Sequence, residues 1–407
     1  MRKILPLYFL LFAVFWSARA EVIQVKPTVK TFQELSQTRW PGQGADVTIG
    51  GDTPEKFAPR KRLLPTSNQL RSVLDKRLDD AVTRFVQEQG NVIGLCIGVL
   101  RHDSVFVYGY GETAKGNQKL PDGKTVYEIG SVSKTFTAAL LADAVKQRKI
   151  KLNAPVNQYL PDSIPVLQKE GVPITPTMLS NHTSGLPRLP GNLFSGSINL
   201  INPYKHYGHQ DLFSWLKKAQ LLRQPGTQYE YSNLAVGMLG VILERVNEMP
   251  FEKLLKSRIT QPLGMQHTTI TLANAERPLL ALGYNDRGEP ASGWDFLALA
   301  GAGGIRSTVN DMLIYLNAQL GKGPKPVTKA IALTHKATYN REGRVVGLGW
   351  HMATGASQGW QWHNGKTGGY SSFAGFRKDR KTAIVILANS LTDLDKLGIE
   401  LVNVVGH

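Results

Sequence analysis

With 407 residues, 42% of them hydrophobic and 19% charged, the chain has the composition of a globular protein and can bury a large core in one large domain or two. Its formal charge is +17, but the basic residues are scattered, which argues against a nucleic-acid binder and for a solvated basic surface suited to an anionic cell envelope. The single cysteine, Cys96, excludes an intrachain disulfide; within its apolar run it reads as a small buried hydrophobe rather than a nucleophile.

The first residues have the three parts of a secretory signal. Arg2-Lys3 is the charged region, Ile4 to Trp16 is an apolar stretch too short to span a membrane comfortably, and Ala18-Arg19-Ala20 is a small-residue cleavage site. The mature chain is expected to start at Glu21; the alternative is an uncleaved anchor. No cysteine follows the cleavage site to carry a lipid, and no later stretch is apolar enough for a transmembrane helix. The expectation is an exported protein, periplasmic or extracellular, without a transmembrane segment after cleavage. Residues 21–68 are rich in Pro, Gly, Lys and Thr and read as a leader or linker, which leaves 69–407 as the folded domain.

Within that domain, Gln69 to Gln89 carries an apolar stripe at helical spacing. Val92 to Leu100 and Ser104 to Tyr110 read as strands joined at Arg101-His102-Asp103. A helical run follows from Thr135 to Lys149. From Lys151 to about Leu320 short helices alternate with Gly/Pro-rich loops, with helices expected over Gln210–Ala219, Leu234–Asn247 and Asn310–Leu320. Strands return at Leu348–Met352, Trp360–His363, Ser372–Arg377 and Thr382–Ala388, and a closing helix is expected over Thr392–Val405. Strands at both ends with helices between imply an α+β fold: one antiparallel sheet built from both termini, flanked by helices, with a mainly helical region inserted. The active site would lie between the two parts.

Three segments carry chemistry. In Tyr127-Glu-Ile-Gly-Ser-Val-Ser-Lys134, Gly130 breaks the preceding segment, so Ser131 should sit at a helix N-terminus with Lys134 one turn away on the same face. A serine hydroxyl is a weak nucleophile until a base takes its proton. An amine crowded into a closed site has a lowered pKa and can be that base, while free N–H groups at the helix start face a developing oxyanion. Alone, Ser-x-x-Lys is a weak signal, because any exposed helix start can carry it. The second segment, Pro225-Gly-Thr-Gln-Tyr-Glu-Tyr-Ser-Asn233, places Tyr231 and Asn233 just before an apolar helix. Tyr231 could move protons as a partial phenolate and Asn233 could meet a substrate amide; the blander reading is a helix cap by Ser232 or Asn233. The third, Trp362-His-Asn-Gly-Lys-Thr-Gly-Gly-Tyr-Ser-Ser-Phe373, is a Gly-rich strand edge that another backbone or a substrate could approach closely.

Together these segments resemble the class C β-lactamase family and its relatives, the low-molecular-mass penicillin-binding DD-peptidases and related esterases. Tyr127–Lys134 matches that family's serine signature, and Tyr231-Ser232-Asn233 its Tyr-x-Asn element. His182-Thr-Ser-Gly-Leu-Pro187, Pro262-Leu-Gly-Met265, Asp311-Met312 and Gly347-Leu-Gly-Trp350 fit its landmarks, over roughly residues 70 to 405. The resemblance implies a β-lactamase/transpeptidase-like fold, Ser131, Lys134 and Tyr231 as catalytic residues, and no metal or other cofactor. The third motif has two registers. Lys366-Thr367-Gly368 matches the family's Lys-Thr-Gly directly, but counting back from Gly369-Tyr370 favours His363-Asn364-Gly365, with the backbone N–H of Lys366 completing the oxyanion hole with that of Ser131. His363, Asn364, Gly365, Lys366 and Asn233 are then the substrate-binding set, and a histidine there looks more like the DD-peptidase or esterase form.

Other patterns are weaker. Gly365-Lys366-Thr367 lacks the earlier glycine of a phosphate-binding loop, since position 360 is Trp. Gly355-Ala-Ser-Gln-Gly359 imitates a nucleophile elbow but precedes a strand, so Ser357 reads as a hairpin turn. His206 and His209 lack a third ligand and read as solvated loop histidines. The expected function is a serine hydrolase acting through an acyl-enzyme on β-lactams or related amides. The alternatives are a D-alanyl-D-alanine carboxypeptidase/endopeptidase or esterase on cell-wall peptides, and a non-catalytic peptidoglycan-binding relative, which usually lacks one of Ser131, Lys134 and Tyr231. The partner expected is a small-molecule β-lactam or cell-wall peptide, not nucleic acid, met by a monomer. A cationic His363 supporting Tyr231 would make turnover fall as pH rises through about 6.5.

Overall fold

The computed structural model describes residues 63–195, 199–355 and 358–406. The expected signal, almost all of the expected leader, and Ser357 lie outside these residues.

Helix α1 (Val73–Gln89) starts where Ser72 and Asp75 cap each other's backbone N–H groups and stops at Gly90, whose φ of 70° is open to glycine at little cost. Its apolar stripe, with Leu74, Leu78, Val82 and Phe85, faces the sheet. Strands β1 (Gly94–Arg101) and β2 (Ser104–Gly111) form the expected hairpin. Residues just before α1 already follow this hairpin, with Ser67 N–H donating to Gly109 O at 3.0 Å.

The short β3 (Val126–Glu128) leads into the serine turn and then α2 (Ser133–Lys146). The small hairpin β4 (Gln168–Lys169) and β5 (Val172–Pro173), helix α3 (Asn233–Asn247) and several shorter helices make up the inserted region. Strand β6 (Arg306–Thr308) pairs with β3 and runs into α4 (Val309–Gln319). The chain then returns to the sheet through β7 (Tyr339–Arg341), β8 (Arg344–Val346), β9 (His351–Met352), β10 (Trp360–Lys366), β11 (Ser371–Arg377) and β12 (Thr382–Ala388), and closes with α5 (Leu394–Gly406).

The sheet runs in the order β2-β1-β12-β11-β10-β9-β8-β7, antiparallel throughout. The sheet therefore joins strands from the two ends of the described residues, as the strand pattern predicted. Two apolar layers follow from strand alternation. Leu95, Ile97, Val99, Ile384 and Ile386 pack on α1 and α5, while Cys96, Val385 and Leu387 face the larger core with α2, α3 and α4. Gly98 lets α4 approach: a Cβ there would lie 2.6 Å from Val309 Cγ1 and 2.8 Å from Leu313 Cδ1. Cys96 is fully buried.

Several elements differ from expectation. The β7–β8 hairpin is too short and too polar to carry a periodic signal. Only His351–Met352 of the expected Leu348–Met352 strand is extended, because Leu348 and Trp350 turn into the core instead. Strand β10 continues past His363 to Lys366, so His363-Asn364-Gly365 lies wholly on a strand. His209, expected in a loop, opens the helix His209–Leu216 and pairs with Glu244 at 2.5 Å.

Candidate active site

The serine turn is held from both sides before any chemistry enters. Tyr127 is fully buried and meets Tyr370 edge-on, with ring centroids 6.5 Å apart. Glu128 is buried, bonded by Arg306 at 2.9 Å and by the Trp294 N–H at 3.0 Å. Gly130 then takes φ 47°, and residues 130–132 form one tight turn running straight into α2. Ser131 is thus one short turn ahead of the α-helix rather than its first residue. Ser133, two residues on, is fully buried, and its hydroxyl accepts from Ile305 N–H at 3.1 Å.

Lys134 is fully buried on the first turn of α2. Its Nζ lies 2.9 Å from Ser131 Oγ and donates to Ala302 O at 2.6 Å. Burial pushes the amine well below the usual lysine range, and the positive charge of Arg188 adds to the effect. The Tyr231 hydroxyl faces Ser131, which acts on its proton, and the Lys134 Nζ sits 4.8 Å from its ring centroid. Desolvation outweighs the help from Ser131 and Arg188 and pushes Tyr231 up to about 12, so at neutral pH it is a phenol, not the partial phenolate expected from the sequence.

Asn233 starts α3. Ser232 is the cap: its Oγ accepts from Ala235 N–H at 2.9 Å and donates to Pro187 O at 2.6 Å. That division of labour leaves the Asn233 side chain to the site, beside Tyr204, with Oδ1 unpartnered among the described residues.

The third motif meets the serine through its glycine. A Cβ on Gly365 would lie 2.8 Å from Ser131 N, and one on Gly130 would lie 2.8 Å from Lys366 N. Thr367 N–H donates to Tyr370 O at 3.0 Å. Bonded and non-bonded pairs alternate in an antiparallel ladder, so Lys366, opposite Ser371, turns its N–H to the open edge of β10. His363 is buried, its ring 6.2 Å from that of Tyr231 and 5.1 Å from that of His351. Side chains alternate along the strand, so Asn364 points to the other face, where it donates to both oxygens of Asp395 at 2.7 and 2.8 Å. Lys366 is on that face too, and its charge acts on Asp395.

Of the residues singled out in the sequence, Ser131, Lys134, Tyr231, Asn233, His363, Gly365 and the Lys366 backbone therefore converge. The Asn364 side chain does not join them. Burial, His351 and Lys134 hold His363 well below the histidine range, which overturns the expectation of a cationic His363.

Two neighbours escaped the sequence reading as site residues. His182, at φ 64°, stacks on Tyr231 with centroids 4.3 Å apart, and its Nδ1 accepts from Ser232 N–H at 3.1 Å. Arg188 places its guanidinium carbon 5.1 Å from the Tyr231 centroid. Only the register of the His182–Pro187 landmark hinted at either, and nothing local says which aromatic they meet.

The buried histidines have a consequence for stability. Desolvation is the main cause that lowers His182, His351 and His363, His351 to about 4. Below about 6.5 the unfolded chain takes up protons that the folded one refuses, so stability is lost as pH falls, by up to about 1.4 kcal/mol per pH unit for each histidine. Urea unfolding between pH 7 and pH 5 should show this slope, and His351→Gln should flatten it. Equal slopes in the two proteins would mean that His351 is charged in the fold.

A family model described as Beta-lactamase matches residues 78–405. A beta-lactamase from Pseudomonas fluorescens is 31% identical over 287 residues, covering 68% of this chain and 74% of that protein. The D-alanyl-D-alanine-carboxypeptidase/endopeptidase AmpH of Escherichia coli (strain K12) is 32% identical over 228 residues, covering 56% of this chain and 57% of its own. Among solved structures, a beta-lactamase/D-alanine carboxypeptidase from Yersinia pestis superposes with a TM-score of 0.70 at 25% identity, covering 82% of this chain and 98% of that one.

Proposed function

The chain belongs to the beta-lactamase family, and from that footing we propose that it is a serine hydrolase that opens β-lactams or related cell-wall amides through an acyl-enzyme on Ser131. One observation carries the assignment: a fully buried, depressed lysine amine 2.9 Å from the Oγ of a serine on a tight turn, under the open edge of β10.

The neutral Lys134 amine accepts the Ser131 proton as Oγ bonds to the carbonyl carbon. The N–H groups of Ser131 and Lys366 hold the oxyanion. As the C–N bond breaks, the proton returns from Lys134 to the leaving nitrogen through the Tyr231 hydroxyl. Because Tyr231 remains a phenol, its part is a relay: it accepts one proton as it yields another. In the second half water attacks the ester carbonyl, its proton passes through Tyr231 to Lys134, and Ser131 is released protonated. Asn233, with an amide atom unpartnered, meets the substrate amide, and His363 and Gly365 line the opposite edge.

Two substrate classes share this chemistry and differ in how fast water reaches the acyl-enzyme. A histidine at position 363 favours the cell-wall peptidase form, as does the likeness to a D-alanyl-D-alanine-carboxypeptidase/endopeptidase. We place the enzyme outside the cytoplasm on the strength of the Arg2-Lys3, Ile4–Trp16 and Ala18–Ala20 pattern. Among the described residues no helix is long and apolar enough to cross a membrane.

The test is intact-mass spectrometry of the mature protein mixed with a penicillin while drug loss is followed. The expected result is an adduct of one penicillin that disappears in Ser131→Ala. An adduct that persists with slow drug loss means the peptidase form; fast loss without an adduct means a β-lactamase. An adduct surviving in Ser131→Ala removes Ser131 as nucleophile.

A further inference from the structure

We propose that Arg188 sets substrate specificity by receiving a carboxylate on the acyl side of the substrate, next to the amide that Asn233 holds. The inference rests on the acyl-transfer reading above and narrows its substrate class to acyl groups that carry an acid.

Arg188 is fixed beside Asn233 by its own backbone. Its carbonyl accepts from Asn233 N–H at 3.0 Å and from Leu234 N–H at 3.2 Å, and the preceding Pro187 O accepts from Ser232 Oγ at 2.6 Å. The side chain is half-buried, with its guanidinium over the Tyr231 ring. A guanidinium presents several donors in a planar fork that matches a carboxylate. No carboxylate among the described residues takes up that fork. The acids in this part of the chain are engaged elsewhere: Glu230 with Arg223 at 2.6 Å, Glu128 with Arg306 at 2.9 Å, and Asp295 with Arg306 at 3.6 Å.

The reacting groups bring no negative charge of their own, since Tyr231 is a phenol and His363 is neutral. Arg188 also adds to the depression of Lys134, so its field reaches the reacting groups. A charge this close to a working lysine, left without a counter-ion, is poorly explained as scaffolding. The rim of the site instead offers a cation to whatever acyl group lies against Asn233.

Benzylpenicillin and carbenicillin differ by one carboxylate on the acyl side chain, so their relative acylation rates isolate the contact. Any effect of Arg188 on Lys134 or on the Tyr231 ring changes both and cancels in the ratio. In Arg188→Gln the ratio of carbenicillin to benzylpenicillin acylation should fall at least tenfold. Arg188→Lys should recover part of the loss by charge alone, and raising salt should lower the ratio in the parent but not in Arg188→Gln. A ratio unchanged by Arg188→Gln, or a parent ratio insensitive to salt, overturns the inference while leaving the acyl-enzyme intact. Absence of a Ser131 adduct with both penicillins in the folded parent overturns the acyl-transfer reading, and this inference falls with it.

Discussion

Lys134→Met should lower the acylation rate of Ser131 by about 10²–10⁴-fold, the range that one positioned base contributes. Methionine keeps the reach and the apolar stem and removes only the amine, so Ser131 stays in place without a proton acceptor. Tyr231, the other proton-moving group beside Ser131, is held up at about 12 and cannot serve as the standing base at neutral pH. Acylation should be timed by mass with a penicillin in excess; a variant within threefold of the parent would mean that the base lies elsewhere.

The same substitution has a second readout. Lys134 is buried and its amine is depressed, whereas in the unfolded chain it titrates near 10.4. Between those two values the unfolded state carries a proton that the folded state does not, so the parent loses stability as pH falls from about 10, by up to about 1.4 kcal/mol per pH unit. Methionine removes that slope. Losing the bond to Ala302 O shifts the variant by a constant and does not mimic it. Parallel stability curves for the two proteins from pH 10 to pH 7 would show that Lys134 is charged in the fold.

The second large effect is expected from one methyl group. In Gly365→Ala the new carbon would lie 2.3 Å from Ile129 O, 2.5 Å from Ser372 Oγ and 2.8 Å from Ser131 N. Two of the three are backbone atoms, so no rotamer relieves the contact. The strand must retreat from the serine turn, and the Lys366 N–H leaves the oxyanion position with it. Loss of one such donor lowers the rate by about 10²–10³-fold, and overpacking costs about 1–3 kcal/mol of stability. Gly375→Ala on β11 is the control, because its added carbon meets nothing closer than 3.4 Å. Parent-like acylation in Gly365→Ala would separate β10 from the chemistry.

The site was more legible in the sequence than the fold around it. Ser131 and Lys134 are three residues apart, and helix geometry brings such a pair together whatever surrounds it. The α+β architecture followed from the position of the strands, because burial alternates along a strand and leaves its trace in composition. The β7–β8 hairpin left no such trace. The choice of His363-Asn364-Gly365 over Lys366-Thr367-Gly368 came from counting back from Gly369-Tyr370, and the contact of Gly365 with Ser131 accords with that register.

Protonation states were beyond reach of sequence. They depend on how much water remains and which charges lie within a few ångströms. Burial raises Tyr231, burial and Arg188 lower Lys134, and burial, His351 and Lys134 lower His363, all through packing among residues distant along the chain. The role of Ser232 as the cap, which leaves Asn233 to the site, likewise depends on Pro187 O being 2.6 Å away. By itself, then, the sequence brought Ser131 and Lys134 together and set the kind of sheet, because these rest on local spacing and periodicity. The tertiary structure alone decided which groups carry charge and which edge faces the serine, because desolvation and electrostatic fields act through space.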